Sequence, residues 1–267
     1  MRVMMTCVIS CRARRCGVAA VCALVGLLTA SSASAAMMSW RVDGETRDAI
    51  VYAPATPAAG VLLPLVLAFH GFGDDAENFQ YVDLHSAWPD AVVVYFQGLP
   101  RRGSFRGWQV ERGQDGDRDL KLVDEAVATL RKTYRIDERR IYATGFSNGA
   151  GFTYLLWNER PKLFAAFAPV AGRMGAAVIP TVRRPILHVA GRLDGTVPFA
   201  DQQTAFETAV RVNGGDGKTR GCGEGCTEHG PGTPTPVMVW IHDGGHSFPR
   251  GTAERIVSFF RGHPLRP

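Results

Sequence analysis

Apolar residues along the chain fall into two kinds of run, and their alternation is that of a wound α/β protein. The runs at 65–69 and 91–96 are continuous, with no polar residue interspersed, which suits central strands covered by helices on both faces. Further strand-like runs lie at 140–144, 164–170, 185–190 and 236–241. From Asp119 the spacing changes: Leu120, Val123, Val127, Leu130 and Tyr134 fall on one face of a helix, with Asp117 or Asp119 placed to cap its first turn. Helical patterns recur over 148–159, where Pro161 marks the end, over 201–212 and over 255–260. Near the start, 40–42 and 49–52 flank Asp43-Gly44 and read as a hairpin on an antiparallel edge.

This order predicts an α/β fold: a mostly parallel, doubly wound sheet with an antiparallel N-terminal hairpin. At 267 residues there is room for one large domain, read here as 36–267, and no internal repeat or interdomain linker is visible. The segments 97–117 and 213–235 read as long polar loops rich in glycine, the first a candidate wall of an active site.

Residues 1–35 stand apart. They hold Arg2, Arg12, Arg14 and Arg15, no acidic residue, and then an apolar run from 17 to 30. That run is the length of a signal-peptide core and falls short of a membrane span, and Ala33-Ser34-Ala35 supplies the small residues of a cleavage site. Cleavage after Ala35 is expected, with delivery to a periplasm or the outside; an uncleaved anchor is the alternative. Removing the leader leaves 26 basic against 25 acidic residues, so the net charge of +5 gives no reason to expect nucleic acid or anionic membrane as a partner. Four of the six cysteines leave as well. In an oxidising compartment the remaining Cys222 and Cys226 most simply form a local disulfide. With His229 they could instead supply three metal ligands, but no fourth lies at a zinc spacing, so neither metal nor organic cofactor is expected.

Chemistry enters at Gly145-Phe146-Ser147-Asn148-Gly149, where a β-branched run meets a helical one. A strand that turns into a helix within a few residues forces the middle residue into a strained conformation, and the flanking glycines remove collisions there. A serine so placed needs an imidazole to take its proton and a carboxylate to orient the imidazole. In a parallel sheet those groups follow later strands. Asp194 follows the 185–190 run, and His246 follows the 236–241 run inside Gly244-Gly245-His246-Ser247-Phe248. The order Ser147, Asp194, His246 fits a nucleophile, acid and base. Asp201 and Asp243 compete as acid, and His242 and His188 as base. Backbone NH groups of Phe72 and Asn148 are the expected oxyanion donors, with Gly73 an alternative to Phe72. His70 is expected to brace its turn. Trp108, Trp88 and Phe248 are candidate substrate contacts, Trp108 foremost because it lies in the long loop.

Taken together, several separate stretches resemble extracellular esterases related to polyhydroxybutyrate depolymerases and feruloyl esterases, of the α/β-hydrolase fold. They are His70-Gly71-Phe72-Gly73, Gly107-Trp108, Asp137-Glu138-Arg139-Arg140-Ile141-Tyr142 running to the serine pentapeptide, Leu163 onward to Gly172, His188 onward to Pro198, and Gly244-Gly245-His246-Ser247-Phe248-Pro249. The resemblance implies a serine esterase with Ser147, His246 and Asp194 as its triad. Phe248 stands where the family commonly has tryptophan, and the short cysteine loop is a second departure. Both bear on substrate preference, with feruloyl, acetyl and hydroxyalkanoate esters and synthetic polyester all compatible. A separate polymer-binding module is not legible, which disfavours an insoluble polymer. Rival readings are a peptidase or amide hydrolase on the same fold, for which no peptide-terminus pocket is apparent, and a non-catalytic binding protein, against which stands the presence of all three triad members.

Overall fold

The computed structural model describes residues 33–214 and 217–266. The expected leader, 1–35, lies almost wholly outside these. Strands β1 (Ala33–Val42) and β2 (Glu45–Pro54) form the first hairpin, joined by Asp43 and Gly44 at φ 51° and 85°. A tight primed turn needs positive φ at both central residues, and Asp-Gly adopts it with little strain. Next come β3 (Leu63–Phe69), short helical turns α1 (Ala76–Phe79) and α2 (Leu84–Ala87), and β4 (Val92–Phe96). A ribbon of β5 (Leu99–Arg102) and β6 (Phe105–Gly107) leads to helix α3 (Arg118–Thr133) and strand β7 (Ile136–Phe146). Then follow α4 (Asn148–Glu159), β8 (Ala166–Val170), β9 (Ile186–Gly191) and α5 (Phe199–Asn213). The chain continues through β10 (Thr219–Gly221), β11 (Cys226–His229), β12 (Val237–His242) and α6 (Thr252–Gly262).

Ten strands make one sheet in the order β1-β2-β4-β3-β7-β8-β9-β12-β11-β10. From β4 to β12 neighbours pair in parallel, and an antiparallel hairpin flanks each edge. The continuous apolar runs are explained by helices on both faces. Leu65, Leu67 and Phe69 of β3 pack with α3, α4 and α5, while Val66 and Ala68 face α6 and the two short turns. Each of the leucine, valine and phenylalanine side chains, once enclosed, contributes about 1.5–3 kcal/mol of apolar transfer energy, so a polar residue on either face would be costly.

Two segments read as irregular loops carry strands. Within 97–117 lies the β5–β6 ribbon, and within 213–235 β10 and β11 extend the sheet. With three and four residues, mostly polar, these last strands have no alternation to detect. The Cys222–Cys226 disulfide, S–S 1.96 Å, closes the turn between them. With both sulfurs paired, the alternative reading of that loop as a metal site loses its thiolate ligands.

The α3 cap is also corrected. Neither Asp117 nor Asp119 bonds to the helix start. Gln109 Oε1 accepts instead from the NH groups of Asp119 and Leu120, at 3.1 and 3.4 Å. Asp119 turns inward, where it accepts from Arg47 Nη2 and the Gln109 NH, each at 2.8 Å. Both Arg47 and Asp119 are fully enclosed. Burial pushes the Arg47 guanidinium down, and the contact with Asp119 opposes that shift. Breaking such a pair by removing one partner strands the other charge, at about 3–5 kcal/mol. The cluster therefore fixes residues 108–111 against β2, and two of them, Val110 and Glu111, wall the cleft described next.

Candidate active site

Strand β7 delivers Ser147 into the turn before α4 with φ 55° and ψ −112°, a conformation that costs a non-glycine residue strain. A Cβ on Gly149 would lie 2.1 Å from the carbonyl oxygen of Phe69, and one on Gly145 would lie 2.4 Å from that of Gly149. The glycines are thus required by backbone on two sides: the end of β3 and the start of α4. The sharp turn leaves the hydroxyl free of the helix and pointing at the loop from β12.

His246 in that loop meets Ser147 Oγ with Nε2 at 2.9 Å, and Nδ1 lies 2.8 Å from Asp194 Oδ2. The Asp194 side chain is fully enclosed, and that of His246 is only partly exposed. A carboxylate only accepts, so Nδ1 carries the proton and Nε2 offers its lone pair to the serine hydroxyl. The loops bearing acid and base are stitched together: Arg192 NH donates to His242 O at 2.8 Å and Leu193 NH to Gly244 O at 3.0 Å. Gly191 permits this approach, since a Cβ there would sit 2.4 Å from Gly245 O. Burial pushes the Asp194 carboxyl up, but hydrogen bonds from His246 and from the NH groups of Val197 and Thr196 outweigh it and hold the group below its ordinary value.

Beside the serine opens a cleft of about 410 Å³ walled by Val110, Met174 and Val197, with Glu111 and Arg173 also on its lining. The NH groups of Phe72 and Asn148 have no acceptor among the described residues. Gly73, the alternative donor, is spent: its NH donates to Arg106 O at 2.8 Å.

Residues 47–179 match the family model described as Esterase PHB depolymerase. A putative esterase, NocK of Nocardia uniformis subsp. tsuyamanensis, is 29% identical over 252 residues, which cover 79% of this chain and 73% of that protein. The chain belongs to this family and is a carboxylic ester hydrolase. A bifunctional acetylxylan esterase/xylanase of Neocallimastix patriciarum is 34% identical over 165 residues, 60% of the esterase described here but only 23% of the larger relative. Among solved structures, an acetyl xylan esterase from Aspergillus awamori superimposes with a TM-score of 0.65 at 16% identity, covering 85% of this esterase and 99% of that chain. That likeness establishes the fold.

The rivals for acid and base sit elsewhere in the esterase. Asp201 is exposed and 3.3 Å from Arg173 Nη1, Asp243 is exposed and 3.3 Å from Arg192 Nε, and His188 is buried under Tyr154. His242 Nδ1 accepts from Gly244 NH at 3.1 Å within its own turn. His70 braces its turn as expected. Its Nδ1 lies 2.7 Å from Gly71 O and must donate, and its Nε2 accepts from Gly98 NH at 3.0 Å, so both ring nitrogens are occupied. Burial lowers its basicity further.

Trp108 is corrected as a substrate contact. Its ring is fully buried, stacked on Phe152 at 5.7 Å and 15°, and Nε1 donates to His70 O at 3.0 Å. A loop position suggested exposure, but the ring turns into the core. Trp88 is likewise buried, beneath Arg261. Phe248 also stands off the cleft: it packs edge-on against Phe79 and Phe146 at 6.0 and 6.5 Å, behind the Phe146 ring that touches His246. Sequence reasoning missed the Asn148 side chain, which pairs both ways with the Trp108 backbone, Oδ1 accepting at 2.7 Å and Nδ2 donating at 3.0 Å. It missed the exposed aromatic pair Phe72 and Phe105 as well, 5.8 Å apart beside the oxyanion donors.

No helix among the described residues is long and apolar enough to cross a membrane, and no cluster of His, Cys, Asp and Glu among them is arranged to hold a metal.

Proposed function

We propose that this esterase works through an acyl-enzyme on Ser147, and the observation that carries the proposal is the contact chain Ser147 Oγ to His246 at 2.9 Å and His246 to Asp194 at 2.8 Å. His246 takes the hydroxyl proton as Oγ attacks the ester carbonyl, and Asp194 steadies the imidazolium that forms. The NH groups of Phe72 and Asn148 receive the oxyanion. Collapse of the tetrahedral intermediate expels the alcohol, which takes the proton from His246. Water then attacks the acyl carbonyl and gives its proton to His246, which returns it to Ser147 Oγ as the acid leaves. The apolar walls at Val110, Met174 and Val197 suit the acyl side of feruloyl, acetyl or hydroxyalkanoate esters, whether soluble or attached to a polysaccharide. A leader over residues 1–35 and the Cys222–Cys226 disulfide support work in a periplasm or outside the cell.

Ser147→Ala is expected to lower kcat on a simple aryl ester by about a millionfold while the protein stays folded. Survival of activity in that variant, or failure of a fluorophosphonate to label Ser147 in the wild type, refutes the assignment. Methyl ferulate, an acetylated xylan fragment and a 3-hydroxybutyrate oligomer, assayed beside a matched amide, identify the acyl group and separate esterase from amidase action.

A further inference from the structure

Asp194 is held by more than the residues that the triad requires. Its Oδ1 accepts from the NH groups of Thr196 and Val197, both at 2.8 Å. Oδ2, the oxygen that meets His246, accepts a second bond from Gln202 Nε2 at 3.0 Å. Gln202 lies in the first turns of α5, fully buried, and the same nitrogen also donates to Val197 O at 2.8 Å. Both of these partners only accept, so the amide must present its NH2 to them and its Oε1 away from them.

What lies beyond Oε1 continues the same logic. His188 on β9 is fully buried, and burial pushes its imidazole down to about 4, so the ring is neutral and bears one proton. Its Nδ1 lies 2.6 Å from the Tyr154 hydroxyl. His188 Nε2 and Gln202 Oε1 are both buried and without a partner in hydrogen-bond geometry, and the Gln202 side chain is close enough to favour the charged ring. With Nδ1 accepting from the Tyr154 hydroxyl, the single proton of the neutral ring sits on Nε2. Tyr154, on the nucleophile's own helix, thus holds His188, and His188 lies close to the Gln202 side chain whose Nε2 reaches Oδ2. The backbone donors anchor one oxygen of the carboxylate but leave its plane free to turn about that anchor. Gln202, the one donor on the other oxygen besides the catalytic histidine, fixes the plane.

We propose that Gln202 is a positioning residue of this esterase: it sets the Asp194 carboxylate plane so that Oδ2 faces His246 Nδ1, and Tyr154 with His188 holds the Gln202 amide in the orientation this needs. The proposal rests on Ser147, His246 and Asp194 being the catalytic groups. The titratable groups facing Asp194 are His246 from the loop after β12 and His242 at the end of β12, and His188 faces Gln202 from β9.

Steady-state kinetics on an aryl ester with Gln202→Leu, Gln202→Glu and Ser147→Ala test it. Gln202→Leu keeps the volume and removes the donor. Its kcat is expected to fall roughly ten- to hundredfold with KM changed by less than about twofold, the mark of an interaction made at the reacting groups and not in ground-state binding. In Gln202→Glu the introduced carboxyl donates to Oδ2 while it is protonated and repels it once both groups ionise. That variant should therefore keep near-normal kcat at the acid end of the working range and lose it as pH rises, where the wild type holds level. A role limited to packing would lower the melting temperature of both variants without this pH-dependent loss. Wild-type kcat in Gln202→Leu overturns the proposal, and if that variant does not fold, a Gln202→Glu profile parallel to the wild type overturns it alone. Residual activity in Ser147→Ala would refute the triad itself, whatever the Gln202 variants show.

Discussion

The strained backbone at Ser147 should be measurable as stability withheld from the fold. At φ 55° and ψ −112° the residue lies where a side chain is penalised, at about 1–3 kcal/mol, and only the surrounding structure keeps it there. Ser147→Ala and Ser147→Gly both delete the Oγ contact with His246, so that loss cancels between them. They differ in the Cβ. Glycine removes the penalty but brings about 0.5–1 kcal/mol of extra chain entropy to the unfolded state. The Cβ at 147 gains little packing on the side of Gly71, which has no side chain to meet it; only a Cβ added at Gly71 would come within 3.6 Å. The glycine variant is therefore expected to be more stable than the alanine variant by about 1 kcal/mol, a difference in melting temperature of roughly 2–4 °C for a domain of this size. Paired thermal melts and urea titrations of the two inactive variants give the number directly. If the glycine variant melts at or below the alanine variant, the elbow is relaxed and the argument from backbone strain fails.

Four further outcomes follow from the contacts. Trp108→Phe should retain the stack on Phe152 and lose the Nε1 bond to His70 O, costing about 1 kcal/mol with KM unchanged, whereas Trp108→Ala should cost about 3–5 kcal/mol; melting curves and KM values on one ester distinguish this core role from a substrate contact. Asp194→Asn should lower kcat by about 10⁴ because the amide favours the wrong imidazole tautomer. Because the Asp194 carboxyl is held below its ordinary value of 3.8, its ionised form stabilises the fold above that pH, and the contribution drains as pH falls through the depressed folded value; in melts across roughly pH 2–5 the wild type should lose stability more steeply than Asp194→Asn, the remainder in both coming from carboxyls such as Asp117 and Asp137 that are likewise held low. Cys222→Ser should destabilise by about 2 kcal/mol through loss of a five-residue closure and leave kcat unchanged, since β10 and β11 form the far edge of the sheet, as calorimetry and an ester assay would show.

The parts of the fold legible in the sequence were those built by long apolar periodicity. The strand cores at 65–69 and 91–96, the face of α3 and the helix from 148 to 159 follow from burial on two faces or one, which leaves a repeating mark. The positions of Ser147, Asp194 and His246 were equally legible, because ends of parallel strands converge on one edge. What the chain concealed was whatever depends on a side chain turning. Asp119 sits where a cap belongs yet pairs with Arg47, far away in sequence on β2. Trp108 lies in a loop yet points inward. Gln202 was detectable in principle: it shares the buried face of α5 with Ala205, Phe206 and Ala209, and a polar residue in an apolar stripe signals a buried partner.

Asn148 shows how the nucleophile and the substrate-side loop are made into one object. Its backbone NH is one of the two oxyanion donors in the proposed reaction, and its side chain clasps the peptide of Trp108. Gly107 must be glycine for that clasp, since a Cβ there would lie 2.6 Å from Asn148 Oδ1 and 3.0 Å from the Phe72 ring. At the other end of the same loop, His70 Nε2 holds Gly98, and His70 lies two residues before Phe72, the second donor. The ribbon between Gly98 and Gly107 is thus pinned at both roots to the residues that shape the oxyanion site. Its tip carries no hydrogen-bond clasp of this kind and meets the donor residues only through the exposed Phe105 ring, 5.8 Å from that of Phe72. Changes confined to 102–105 therefore reach the oxyanion site through the Phe72 ring alone, whereas changes at the two roots displace donors and loop together.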